Sequence, residues 1–188
     1  MADDPHFGPC LAIPGKDSGF DIEGLAADGR RLLLGLRGPV LRGWSALLEI
    51  EARADELRLA PLDDSGTLIR KHFLQLDGLG VRDLHLSGDD PYILAGPTMV
   101  PNGDIRVFKW PAARHLLAAN REPVRFEKAL TESVPLPHGR GVNRAEAICQ
   151  LPPALSGGKA NWLVLYDAPG ADRRDGEHAV FGDLLRGD

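Results

Sequence analysis

Short apolar stretches alternate with glycine- and proline-bearing turns along almost the whole chain, and this rhythm predicts strands rather than helices. Residues 22–27 read as a strand, Asp28-Gly29-Arg30 as a hairpin turn, and 31–37 as the returning strand, which Gly38-Pro39 stops. A third strand is expected over 46–51 and a fourth within 67–76. The same order then repeats. Strands are predicted at 81–86, 92–95 (stopped by Gly96-Pro97) and 105–110, with 123–130 as a fourth, outer strand. Between the last two, Pro111 suits the first position of a short helix over 112–119, which is rich in Ala and Leu. A third round begins at 145–151, continues over 161–167 to the break at Ala168-Pro169, and ends with a strand within 178–185.

Three stretches open these rounds: Phe20-Asp21-Ile22-Glu23-Gly24-Leu25-Ala26, Val81-Arg82-Asp83-Leu84-His85-Leu86 and Asn143-Arg144-Ala145-Glu146-Ala147-Ile148-Cys149. Each is an apolar strand with one carboxylate near its start, and aligning these carboxylates sets Glu23, Asp83 and Glu146 at spacings of 60 and 63 residues. Repeats of strands alone at such a period predict an all-β chain of propeller-type, antiparallel four-stranded blades. The expected organisation is an irregular lead-in over 1–19 and one domain over 20–188, with repeats near 20–76, 80–131 and 142–188. About three blades do not close a ring. The repeats therefore predict part of a propeller, or open sheet edges covered by missing blades or by a second copy in a homodimer.

Composition narrows the partners. With 22 basic and 27 acidic residues the net charge is −5, which gives no electrostatic reason to expect nucleic acid. The longest apolar run, 32–36, is far too short to span a bilayer, and Met-Ala-Asp-Asp-Pro lacks the marks of a secretory signal, so a cytoplasmic location is expected. The two cysteines, Cys10 and Cys149, suggest reduced thiols, and Cys149 reads as a small buried hydrophobe.

In a propeller the first strand of each blade lines the axis, so Glu23, Asp83 and Glu146 are expected to converge. Converging carboxylates repel unless a cation or arginines share the space. Ca²⁺ or another divalent cation held by these three acids is one solution. Pairing with Arg37, Arg82 and Arg144 is the other, with Arg42 and Arg140 in neighbouring loops. Such a mouth can receive a small anionic ligand; equally, the same residues can form a ring of structural ion pairs that fixes blade spacing. His85 shares the strand face of Asp83 and reads as a satisfied core histidine. His138, on the Gly-rich loop 137–141, is the better placed histidine for a loop-borne role, and Lys16-Asp17 holds the same relative place before the first strand. Asp167 is expected at the rim, and Trp44, Trp110 and Trp162 as packing between blades. No nucleotide-type phosphate loop, hydrolase elbow or zinc-spaced Cys/His group occurs.

The segments quoted above, together with Leu34-Gly35-Leu36-Arg37-Gly38-Pro39-Val40-Leu41-Arg42-Gly43-Trp44 and Leu94-Ala95-Gly96-Pro97-Thr98, resemble an uncharacterised bacterial domain-of-unknown-function family of the DUF3616 type. The resemblance runs from about Ile13 to Asp167 and implies a propeller with further strands ahead of this segment. The pattern Ile22-Glu23-Gly24-Leu25-Ala26 followed by Asp28-Gly29-Arg30 is also similar to the first blade of phytase-type esterase-like propellers. That likeness implies, as the alternative to a binding protein, a metal-assisted hydrolase of phosphate or other esters.

Overall fold

The computed structural model describes residues 1–53, 58–99, 103–134, 136, 144–157, 161–167 and 169–186. Its elements in chain order are β1 (Asp21–Asp28), β2 (Arg31–Gly38), β3 (Trp44–Ala52), β4 (Leu59–Ala60), β5 (Ile69–Gln75), β6 (Gly80–Ser87), β7 (Asp90–Gly96), β8 (Arg106–Lys109), α1 (Ala113–Ala119), β9 (Val124–Glu127), β10 (Thr131–Glu132), β11 (Arg144–Gln150), α2 (Pro153–Ser156), β12 (Trp162–Asp167), β13 (Arg174–Asp175), β14 (Ala179–Val180) and β15 (Asp183–Leu185). Among the described residues the chain is all-β apart from two short helices and a few 3₁₀ turns.

Three main sheets open in succession along the chain, the first also taking in a strand from beyond the second. The first runs β1-β2-β3-β5-β9, with β4 beside β3; the second β10-β8-β7-β6; the third β11-β12-β15, while β13 and β14 make a separate hairpin. No sheet closes on itself among the described residues. The opening hairpins of the first two sheets are alike: two-residue turns join Asp28 to Arg31 and Ser87 to Asp90, with Gly29 and Gly88 supplying the positive φ that such turns require. The first strands lie side by side, β6 packing against β1 and β2 on one side and β11 on the other. Close approach is possible because Gly24 and Gly35 face the second sheet; a Cβ on Gly35 would lie 2.4 Å from the Val81 side chain.

The cores follow from strand alternation. Leu33, Leu47 and Leu74 of the first sheet meet Val81, Ile93, Phe108 and Trp110 of the second. Tyr92, Leu94 and Val107, on the far face of the second sheet, meet Ile148, Trp162 and Val164 of the third. The opposite face of the first sheet (Leu36, Ala46, Leu48, Phe73) is covered by Phe7, which is fully buried. The lead-in is thus a cap over a sheet face, further tied down by Asp4 on Lys71 at 2.6 Å.

One predicted strand belongs elsewhere. Residues 123–130 were expected to edge the second sheet, but β9 leaves it and pairs parallel to β5 as the fifth strand of the first, Lys71 opposite Val124 and Phe73 opposite Phe126. The second sheet ends instead in β10, two residues long, beside β8. Helix α1 makes this return possible: it follows β8 directly and is fixed to the first hairpin by Arg114, whose guanidinium holds Asp28 at 2.6 and 2.8 Å. It begins one residue later than the sequence suggests, because Ala112 takes a left-handed conformation while its N–H donates to Asp90.

Candidate functional site

The three opening hairpins share a local irregularity. Pairing runs Ile22–Leu36 then Gly24–Gly35, Val81–Ala95 then Asp83–Leu94, and Ala145–Tyr166 then Ala147–Leu165. One residue is left over each time, so Glu23, Arg82 and Glu146 are equivalent bulge residues. A bulge turns the extra side chain out of the ordinary strand alternation. The expected alignment of Asp83 with Glu23 and Glu146 is therefore one residue out: Arg82 holds that place in the second hairpin.

These bulges build one charged cluster. Arg37, itself unpaired in the β1–β2 register, donates to Glu23 at 2.7 Å. Arg82 reaches across sheets to donate to Glu146, and its other terminal nitrogen donates to the Pro97 carbonyl at 3.1 Å. The room for this guanidinium comes from Gly96, where a Cβ would lie 2.4 Å from Nε of Arg82. The Arg82 side chain is only 4% exposed, against 31% for Glu146. Burial raises the Glu23 carboxyl above its ordinary pKa, opposed by the Arg37 hydrogen bond; the charge of Glu146 raises it further and that of Arg82 opposes. Glu23 thus feels both members of the second pair, and its Oε2 is buried without a hydrogen-bond partner among the described residues.

Arg144 opens β11 opposite Asp167, half-buried, with Nε unpartnered among the described residues. The cluster itself thus holds two guanidinium–carboxylate pairs, with Arg144 and Asp167 facing each other at the start of the third hairpin.

Asp83 is occupied otherwise. Its two oxygens accept from the backbone N–H groups of Leu84 and Ile148, each at 2.8 Å, which pins β6 to β11. Burial nevertheless raises its pKa, against those two hydrogen bonds. Among the described residues no group of three or more His, Cys, Asp or Glu side chains is arranged to hold a metal ion. Glu23, Asp83 and Glu146, the carboxylates expected to converge, form no such group.

The remaining candidates scatter. His85 is half-buried, its ring edge-on to Trp162 at 5.4 Å, and burial lowers its pKa. Gln150 donates its N–H to His85 at 3.4 Å, so this histidine helps join the second and third sheets. His138 and Arg140 lie outside the described residues. Lys16 and Asp17 are exposed in a 3₁₀ turn before β1. Cys10 and Cys149 are free and half-buried. Trp110 and Trp162 pack between sheets as expected, whereas Trp44 stands on the outer face of the first sheet against Phe126.

Sequence reasoning missed a second charged group. Glu49, Arg70 and His72, all fully buried on β3 and β5, form a chain in which Glu49 meets His72 Nε2 at 2.9 Å and Arg31 at 3.2 Å, and Arg70 meets Asp63 at 2.6 Å. The apolar residues on both sides of these strands hide it, so no amphipathic pattern marks the charged face.

A family model described as a protein of unknown function (DUF3616) matches residues 1–183. No curated protein and no solved structure matches the chain. Among the described residues no helix is long and apolar enough to cross a membrane.

Proposed function

The chain belongs to the DUF3616 family, and from that premise we propose that it is a propeller-type binding protein whose charged mouth takes a small anionic ligand. The three sheets are read as successive blades whose first strands, β1, β6 and β11, face a common axis. The observation that carries the reading is the repeated bulge: three hairpins spend the same irregularity on Glu23, Arg82 and Glu146. Bulges of this kind gather next to binding sites, where they re-aim a side chain. Arg37 and Arg144 add further guanidinium groups at the mouth, and planar guanidinium groups suit the oxygens of a carboxylate or phosphate. Exposed Leu165, Phe181 and Leu184 on the third sheet and its neighbouring turn are apolar positions that further blades or a second copy would cover.

Thermal unfolding against a panel of inorganic phosphate, sulfate and di- and tricarboxylates tests this. At least one anion should raise Tm at millimolar concentration, as a ligand selective for the native state must. Arg144→Ala should abolish that rise while unfolding at nearly the Tm of the parent. If every anion leaves Tm unchanged, the cluster is a structural ion-pair ring and the binding function fails.

A further inference from the structure

A separate groove lies on the face of the first sheet turned away from the second. It has a volume of about 610 Å³ and is lined by Trp44, Phe73 and Phe126 with Val40, Leu41 and Arg42, and by Pro5 and His6 of the lead-in. This volume is that of a small-molecule site. The aromatic rings form one assembly. Trp44 stands edge-on to Phe126 at 5.1 Å, and Phe126 stacks on Phe73 at 5.1 Å with 19° between planes. Phe126 stays 56% exposed and is brought here only because β9 returns to the first sheet.

The Arg42 side chain that lines the groove is basic. Arg42 is exposed, with no ion pair or hydrogen bond of its side chain among the described residues. Lys128 lies 5.9 Å from the centre of the Trp44 ring. Lys71, next to His6, is neutralised by Asp4, and no carboxylate lines the groove. The backbone at Arg42 is also out of the ordinary. Leu41 and Trp44 exchange both backbone hydrogen bonds across a two-residue turn in which Arg42 has φ 53 and Gly43 φ 84. Asn, Asp or Gly is the usual occupant of that first position. An arginine held there against its conformational preference points to a use for its side chain.

We propose that this groove binds a small planar aromatic carboxylate, its ring stacked against Trp44 and Phe126 and its carboxylate on the Arg42 guanidinium. Stacking suits the quadrupoles of the two rings, and a charge-assisted bond to arginine fixes the orientation. The mouth residues take no part, so the two sites stand or fall separately.

Naphthoate is the probe, titrated into the full chain by calorimetry and followed by NMR of the indole N–H groups. Saturable binding of one naphthoate per chain is expected, shifting the Trp44 resonance and leaving Trp110 and Trp162 in place. Arg42→Asn, which suits the turn better, should weaken binding about tenfold. Uncharged naphthylmethanol should lose about as much on the parent protein, and Phe126→Ser, at an exposed position, should abolish binding with the circular dichroism unchanged. No saturable binding, equal affinity for naphthylmethanol, or an unaffected Arg42→Asn would each overturn the assignment. So would a concentration-dependent dimer that Phe126→Ser dissociates, since the groove would then belong to a second copy.

Discussion

Arg82 shows how much one side chain can decide. Almost wholly buried, it donates to Glu146 and to the Pro97 carbonyl, and so it ties the second sheet to the third. Removing one member of a buried pair leaves the other without compensation. Arg82→Ala should therefore cost roughly 2–4 kcal/mol in urea unfolding, toward the lower end because Glu146 keeps some access to water. A loss well under 1 kcal/mol would mean that the pair does not hold the sheets. Two acids should respond to pH in opposite senses. Arg173 donates twice to Asp183, at 2.7 and 2.8 Å, and these bonds hold its pKa below the ordinary carboxylate value. The unfolded chain then takes up the proton first, so this contribution is present above pH ~4 and vanishes as pH falls through the folded pKa. Asp183→Asn should flatten the acid limb of a Tm–pH profile. For Glu23 the folded pKa is raised, so stability is lost as pH rises from about 4.5 through the folded value. Residue identity pointed to Arg82 as well as Asp83, but the alignment of the second strand on its carboxylate was one residue out. Asp83 and Arg82 are neighbours, and only the ladder register shows which of them is the extra residue.

At the level of elements, strands were readable wherever two-fold alternation or a continuous apolar run met a Gly or Pro stop, which covers β1 to β3 and β5 to β8 closely. The edge strands were not. The segment around β9 carries a strand pattern, but nothing local says that it will pair parallel to β5 across the whole second hairpin. Parallel pairing needs a crossover, and the partner is chosen by which sheet edge remains open. The lead-in shows the same limit: its Gly and Pro content describes an irregular backbone, yet says nothing of Phe7, whose ring fills the outer core beside Phe20 and Phe73. Phe7→Ala should cost about 3–5 kcal/mol in chemical denaturation, as for other buried phenylalanines. A loss below 1 kcal/mol would reduce the lead-in to a surface decoration.

Across the whole molecule, three sheets open in sequence with their first strands side by side, and β9 returns to the first sheet after the second has begun. The repeat was legible because each unit restarts with the same hairpin; the differences were not, since edges answer to neighbours rather than to local pattern. The functional account depends on one consequence, that Glu23, Arg37, Arg82 and Glu146 share a single electrostatic neighbourhood although they come from three separate hairpins. Carbon-detected NMR titration of the Glu23 side-chain carboxyl measures this directly. It should titrate above its ordinary value of 4.5, move down in Glu146→Gln, and move up when Arg82 is replaced by Met. A Glu23 carboxyl that titrates at 4.5 and ignores both substitutions would show that the bulges do not converge, and the charged mouth would be lost with them.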